Sequence, residues 1–418
     1  MLQKDYTMVK KQSTIILLLF LALTIIPLFN SFVILTREGG MHSSFYFVGY
    51  STGFGARKFL GTIFSVLLPD YTTHRHLVPY IFGALLTLFL LFGIYFSRTF
   101  NNVPLNKSSN ALPFFLLTVL YLASSYSILF FNTLIWLADI WLYLLTIFFV
   151  ILFARFRSKG VWPIVYGILI LTACLTHIIF CCLFLPLFVA LFIYETFDGN
   201  KMSLRRALIY GTSVLSVAIL FVCLWCFSSM NVTPEELSVM LGERANNVSD
   251  NGPWMLNILY GPSASNFHTM WEVGQFPLRY YQFPFLILLM SPLLTLFVTP
   301  WILCIRHSHH RVEKLKYLLM LCAGIILFLP IFAVATDYGR WMMAWLFCQT
   351  LLLLTMYRLH DTKVIASMQI MFSRMRRHLV LTVFLVAYIL LLRVSPTDNA
   401  GVNALSFAHE LYRNLLGL

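Results

Sequence analysis

Four short segments of the chain carry ionisable side chains in contexts that suit acid–base or phosphate chemistry. Asp139 lies inside the apolar sequence TLIWLADIWLYLL, and His177 interrupts the apolar sequence LTHIIFCCLFLP. Asp337 and Arg340 are three residues apart in VATDYGRWMMAW, where Gly339 permits a turn. A carboxylate can take a proton from a hydroxyl group, a histidine can relay one, and an arginine can bind phosphate oxygens. These residues are therefore candidates for the groups of an active site.

A fourth candidate is the basic segment YSTGFGARKFLG, in which Arg57 and Lys58 follow Gly53 and Gly55. Glycines allow a backbone to approach a ligand closely, and the two cations would supply phosphate contacts. The alternative is that both cations anchor an interfacial helix by extending toward water.

Each of the other candidates also has an interpretation without catalysis. Asp139 could hold the helices together by a hydrogen bond, or relay protons in a transporter. His177 could be a hydrogen-bonded core residue. Asp337 and Arg340 could form a salt bridge that caps a helix, but an arginine at a helix N-terminus opposes the helix dipole. Anion binding accounts better for the position of Arg340.

A long polar segment, residues 229–281, combines acidic and Asn side chains with several aromatic residues. Aromatic rings stack on sugar faces while polar groups bind the hydroxyls, so the segment is a candidate for saccharide binding. An aromatic belt at the membrane boundary is the equally weighted alternative. The aromatic residues chosen as candidates are Trp254, Trp271 and Tyr280.

The elements that position these residues are membrane helices, because 60% of the 418 residues are apolar and only 11% are charged. Apolar runs of about 20 residues recur, which is the length that spans a bilayer. The long run 162–194 is split at His177, since basic residues flank both of its ends. The predicted fold is an all-α polytopic bundle of about eleven spans. They cover residues 14–35, 78–96, 113–131, 134–153, 162–177, 178–194, 207–228, 282–305, 316–334, 341–357 and 379–393.

The formal charge of +13 is explained by topology. With the N-terminus in the cytoplasm, 20 of the 29 Lys and Arg residues lie in cytoplasmic segments. We therefore expect no nucleic-acid partner. The first run lacks a small-residue cleavage site, so we expect a retained span and not a signal peptide. All eight cysteines lie in or beside apolar runs without metal-ligand spacing, and we expect no metal and no cofactor.

The chain shows no linker or repeat, so residues 1–418 are interpreted as a single membrane domain with two large outer segments. The first, residues 36–77, contains apolar residues at helical spacing between positions 59 and 68. This run is too short to span, and it predicts an amphipathic helix in the outer interface, with a re-entrant hairpin as the alternative. The second outer segment is residues 229–281.

Taken together, the candidates resemble a family of multi-span proteins from bacterial polysaccharide gene clusters, similar to repeat-unit polymerases of the Wzy kind and to GT-C glycosyltransferases. The resemblance rests on a G-F-x-x-R-x-x-x-G segment, an intramembrane Asp, a His followed by Pro186, and a late D-Y-G-R-W. GT-C enzymes usually carry an acidic residue in the first outer loop. This chain has only Glu38 and Asp70 there, neither in such a motif.

The resemblance implies a glycosyl transfer at the outer face of a bacterial inner membrane, from a polyprenyl-diphosphate-linked saccharide to a second lipid-linked saccharide. Asp139, Asp337 or Glu38 would be the base, and Arg57, Lys58 and Arg340 would bind the diphosphate with His177 nearby. Other polysaccharide-export machinery is a further expected partner. The alternative is a transporter that flips the same lipid-linked saccharide and couples protons through Asp139 and His177.

Overall fold

A computed structural model describes residues 2–37, 45–55, 58–68, 74–101, 110–124, 126–130, 137–157, 161–198, 201–227, 229–244, 276–329 and 338–392. Within these ranges the chain is almost wholly helical, as the sequence predicts. The helices are α1 (Leu2–Arg37), α2 (Lys58–Leu67), α3 (Val78–Thr99), α4 (Leu112–Ala123), α5 (Asp139–Phe156), α6 (Trp162–Thr176), α7 (Phe180–Leu183), α8 (Leu185–Thr196), α9 (Leu204–Cys226), α10 (Pro234–Arg244), α11 (Phe276–His307), α12 (Arg311–Ile326), α13 (Tyr338–Arg358), α14 (Thr362–Arg377) and α15 (Leu379–Leu391).

Two two-residue strands connect α8 to α9. Phe197 pairs with Met202 and Asp198 pairs with Lys201 in an antiparallel register. Single 3₁₀ turns lie at Tyr50–Thr52 and His74–Leu77.

Six of the described helices are long and apolar enough to cross a membrane, or seven if the bent pair α13 and α14 forms one span. The outward surface of the bundle is apolar on long and short helices alike: Ile26 on α1 and Phe384 on the shorter α15 are each 70% exposed. Apolar surface on this scale requires a hydrocarbon solvent, which agrees with a membrane protein. The count of about eleven spans is not confirmed, because helices such as α6, α8 and α15 have only 12 to 15 residues.

Helix α13 is the centre of the bundle. Residues 339–357 are all buried, and the helix packs against α3, α4, α5, α8 and α11. Apolar residues surround most of the circumference of α13, so it has no continuous face suited to water and takes the interior position. Aromatic side chains fill the space around it, for example Phe347 with Tyr143 at a ring separation of 4.8 Å.

Two details predicted from the sequence are present. The long apolar run is broken at His177, where α6 ends, and a helix covers residues 58–67 of the first outer segment. The cysteines are free thiols; Cys174, Cys304 and Cys348 are buried as expected, but Cys226 is exposed at the end of α9.

Candidate functional site

Asp139 and Arg340, which are 201 residues apart in the sequence, form a buried ion pair. The Nη2 atom of Arg340 donates to Oδ1 of Asp139 over 2.7 Å, and its Nε atom donates to Oδ2. The side chain of Arg340 is 9% exposed and that of Asp139 is 1% exposed. Two parallel hydrogen bonds between a guanidinium and a carboxylate are among the strongest polar contacts in proteins. This pair is the main feature of the candidate site.

The local sequence explains why both residues lie at one end of the bundle. Asp139 begins α5 and Arg340 lies in the first turn of α13. A carboxylate is favoured at a helix N-terminus by the helix dipole, whereas a guanidinium is not. The negative charge of Asp139 therefore compensates both the helix dipole and the buried cation. The i, i+3 contact between Asp337 and Arg340 lies outside the described residues, because it involves Asp337.

An aromatic group from the first outer segment covers the start of α5. The Tyr46 hydroxyl donates to the carbonyl of Leu137 and accepts from Nε1 of Trp141, both over 3.3 Å. The ring of Phe64 on α2 lies 5.4 Å from that of Tyr46 and 5.9 Å from that of Trp141. Burial raises the pKa of Tyr46; the bond from Trp141 partly opposes this, and the charge of Asp139 adds to it. Tyr46 is therefore a neutral donor beside the ion pair.

His177 forms the turn between α6 and α7. It is 5% exposed, and its Nδ1 atom accepts a hydrogen bond of 3.1 Å from the backbone N–H of Ile179. Its own carbonyl accepts from the N–H of Phe180. Because Nδ1 is an acceptor, a neutral imidazole here carries its proton on Nε2. His177 is thus the C-cap of α6 and stabilises the turn into α7, and Nε2 is the nitrogen that could take part in chemistry.

Lys58 joins the first outer segment to the residues that follow α9. Its Nζ atom donates to the carbonyl of Ser229 over 2.9 Å and contacts Sδ of Met230 at 2.7 Å. The residue is only 2% exposed, and burial lowers its pKa to about 8. Backbone bonds from Ser229 to Phe54 and from Asn231 to Thr52 reinforce this junction.

The glycines of the G-F-x-x-R-x-x-x-G segment are required by this packing. Gly53 has φ +126°, and a Cβ atom there would overlap the carbonyl oxygen of Ser229. A Cβ atom on Gly61 would overlap the carbonyl oxygen of Val48. Their first role is therefore close approach between backbones of the protein itself, in addition to any approach to a ligand.

An aromatic layer lies one turn further along α5 from the ion pair. Tyr143, four residues after Asp139, has its ring 5.0 Å from that of Phe184 and 4.8 Å from that of Phe347. The ring of Phe347 in turn lies 6.1 Å from that of Phe92. These four side chains are 0 to 1% exposed. The layer separates the polar site from the rest of the bundle interior.

The opposite end of the bundle holds a second ionic cluster. Glu195 at the end of α8 accepts from Arg157 over 2.8 Å, and Arg206 of α9 lies 3.7 Å from its other oxygen. The Lys316 ammonium lies 3.8 Å from the ring centre of Tyr194. Helix α5 has 18 residues, or about 27 Å at 1.5 Å per residue, so the two ionic clusters are about one hydrocarbon thickness apart.

Asp361, at the N-cap of α14, completes this second cluster. Its oxygens accept from the hydroxyl of Tyr317 at 2.9 and 3.0 Å, and Lys316 lies 3.6 Å away. It also accepts from the backbone N–H groups of Lys363 and Val364. Each carboxylate of this cluster is therefore engaged by several donors, which is typical of a structural junction between helices.

The structure brings together some of the residues selected from the sequence. Asp139 and Arg340 are in direct contact, and Lys58 and His177 have the contacts given above. The other selected residues lie outside the described residues or have side chains that do: Glu38, Arg57, Trp254, Trp271, Tyr280 and Asp337. Among the described residues, no group of three or more His, Cys, Asp and Glu side chains is placed to hold a metal ion.

Three residues beside the ion pair were not selected from the sequence: Tyr46, Trp141 and Tyr143. Tyr143 lies four residues after Asp139 on the same side of α5, so its proximity could have been read from helical spacing, whereas Trp141, at i+2, is not on the face of Asp139. The position of Tyr46 depends on how the first outer segment folds onto α5, for which the sequence holds no local signal.

Comparisons with protein-family models, curated proteins and solved structures found no match to this chain.

Proposed function

We propose that this protein is a membrane glycosyltransferase that joins polyprenyl-diphosphate-linked saccharide units at the outer face of a bacterial inner membrane, as in O-antigen or capsule synthesis. In this proposal about eleven spans surround the site and the N-terminus is cytoplasmic. The observation that carries the proposal is the buried pair of Asp139 and Arg340 at one end of the bundle. It combines a carboxylate and a guanidinium, which are the two groups that the reaction requires.

The geometry of the pair suggests how a bound diphosphate would free the carboxylate of Asp139 and the guanidinium of Arg340 for catalysis at the same time. Both oxygens of Asp139 accept a hydrogen bond from Arg340, so two of the acceptor sites of the carboxylate are committed to the guanidinium while the pair is intact. A diphosphate offers the guanidinium an alternative bidentate partner. When Arg340 turns toward the diphosphate, Asp139 is released to act as the base.

The proposed reaction is a substitution at the anomeric carbon of the donor saccharide. The acceptor hydroxyl oxygen forms a bond to the anomeric carbon, and the bond from that carbon to the phosphate oxygen breaks. The polyprenyl diphosphate leaves with the bonding electrons, and Arg340 stabilises its charge. The hydroxyl proton moves to the carboxylate of Asp139. No metal or cofactor is required.

The remaining candidates take supporting roles in this proposal. Nε2 of His177 binds a diphosphate oxygen, Arg57 adds a second cation, and the aromatic residues of segment 229–281 bind the saccharide. Lys58 is a weaker candidate for direct contact, because its ammonium is committed to Ser229 and Met230. Its contribution is to hold the two outer segments together.

A lipid-linked saccharide flippase is the second candidate, and one observation favours it. Ionic clusters lie at both ends of the bundle, which is the arrangement of two gates in an alternating-access transporter. The aromatic layer around Tyr143 and Phe347 argues for the enzyme, because a saccharide path would have to cross four buried rings. A transporter is also expected to place polar groups along its whole path.

Deletion of the gene, followed by electrophoresis of the surface glycan, separates the two candidates. A polymerase is expected to leave single repeat units in place of a long ladder. A flippase is expected to leave no outer units and to retain lipid-linked precursor on the inner side. A glycan ladder that is unchanged by the deletion would contradict both.

A matched pair of variants then tests the site. Asp139→Asn is expected to abolish chain extension, because the amide cannot accept the proton. Glu195→Gln removes a carboxylate that is also buried and paired with arginine, but at the other end of the bundle. The folded fraction of the Glu195→Gln variant should retain chain extension. Equal extension by both variants would refute the assignment of Asp139 as the base.

A further inference from the structure

Helix α14 is steeply inclined to α13, the helix at the centre of the bundle. It follows α13 after a short break and is inclined to it by 116°. Where α13 crosses the membrane, an inclination of 116° leaves α14 nearer to the membrane plane than to its normal, at the end that holds Asp361. This orientation places one face of α14 against the protein and leaves the other face outward.

The two faces of α14 differ in chemistry. Val364, Met368 and Met371 are buried against the bundle. The last turn carries three exposed cations, Arg374, Arg376 and Arg377. No ion pair joins these arginines to a carboxylate within the part of the chain that the structure describes. These three arginines, which surround the end of α14 and have no ion-pair partner among the described residues, are here called the α14 arginine surface.

The following helix fixes the depth of this surface in the membrane. Only His378 separates Arg377 from α15, which opens with exposed apolar side chains. Val380 is 72% exposed and Phe384 is 70% exposed. Such a surface belongs in hydrocarbon, so the arginines directly before it lie at the level of the lipid headgroups.

We propose that the α14 arginine surface binds the phosphate groups of anionic phospholipids in the leaflet at this end of the bundle. Charge complementarity and position both favour this occupant. An arginine or lysine near an anionic membrane surface contributes about 1 kcal/mol, and a guanidinium can bind a phosphate through two hydrogen bonds. The lipids would hold α14 in its in-plane position, next to the cluster of Asp361, Tyr317 and Lys316.

The test is a titration of the purified full-length protein in neutral detergent with phosphatidylglycerol or with phosphatidylcholine, followed by native mass spectrometry. The wild type should bind phosphatidylglycerol preferentially. The triple variant R374Q/R376Q/R377Q should lose on the order of a hundredfold of that preference at low ionic strength, from three cations at about 1 kcal/mol each.

The matched control is K201Q/R205Q/R311Q, which removes three other exposed cations from the same end of the bundle. It should keep the preference. The proposal is overturned if the two triple variants lose the preference equally, or if R374Q/R376Q/R377Q keeps it. If that variant does not fold, the three single glutamine variants decide, since each should lose about fivefold. The readout uses no saccharide, so its failure leaves the proposed enzymatic function unaffected.

Discussion

The sharpest test of the candidate site is a double-mutant cycle on the ion pair. Asp139→Asn leaves the guanidinium of Arg340 buried without its carboxylate partner. Breaking a buried ion pair in this way costs about 3 to 5 kcal/mol of folding free energy. Arg340→Met should cost less, because a buried carboxylate can take up a proton whereas a guanidinium cannot become neutral.

The double variant D139N/R340M removes both charges. Replacing a buried ion pair by uncharged groups of similar size is often nearly neutral, so a cost of about 0 to 2 kcal/mol is expected. If the two sites were independent, the double variant would instead show the sum of the two single costs. The measured coupling is thus expected to be several kcal/mol.

Two measurements on the purified protein in detergent complete the cycle. Thermal unfolding gives the ranking, with D139N least stable and D139N/R340M close to the wild type. Chain extension of a lipid-linked acceptor should be absent from all three variants. Costs that are simply additive would show that the contact between Asp139 and Arg340 does not form, and extension by D139N/R340M would show that the pair is structural only.

Substitutions at Gly61, His177 and Lys58 each test one contact of the structure. Gly61→Ala should destabilise the folded protein by about 1 to 3 kcal/mol, because the new Cβ atom would overlap the carbonyl oxygen of Val48. Gly83→Ala is the control, since a Cβ atom there meets open space, and it should be neutral or slightly stabilising in thermal unfolding. His177→Asn should keep the hydrogen bond to the backbone N–H of Ile179 and therefore the melting temperature, but it should lose chain extension because Nε2 is absent. A lower melting temperature with chain extension intact would refute both the structural role of Nδ1 and the binding role of Nε2. Burial lowers the pKa of Lys58 from 10.5 to about 8. Between these two pH values the unfolded chain keeps the Lys58 proton that the folded protein has lost, so the folded state becomes more stable as pH rises. The wild type should therefore gain stability relative to K58M as pH rises from about 8 to about 10.5. A stability difference that does not change over this range would contradict the burial of the ammonium.

Local features of the fold were readable from the sequence because they depend on local composition. Apolar runs, their interruption at His177 and the amphipathic run after Lys58 each predict a helix or a break, and each is present. The span count was less well determined. A short apolar helix such as α6 has the hydropathy of a span but only 15 residues, so composition alone cannot decide whether it crosses.

The candidate site was predictable in its members but not in its pairing. Asp139 and Arg340 stood out because a charge inside or beside an apolar run is costly unless it is compensated. Arg340 has a carboxylate three residues away in the sequence, at Asp337, and yet the carboxylate of Asp139, which it binds, is 201 residues away. That choice is made by the packing of α5 against α13, which aligns the N-terminal ends of both helices.

By itself, the sequence determined that this protein is a helical membrane protein, since hydropathy is a sum over local residues, but it placed Asp139 inside a span and not at the start of a helix. Only the tertiary structure decided which charges form a pair, which aromatic rings pack next to that pair, and why positions 53 and 61 must be glycine. Those properties arise from contacts between distant segments, and their energies depend on distances that the order of residues does not contain.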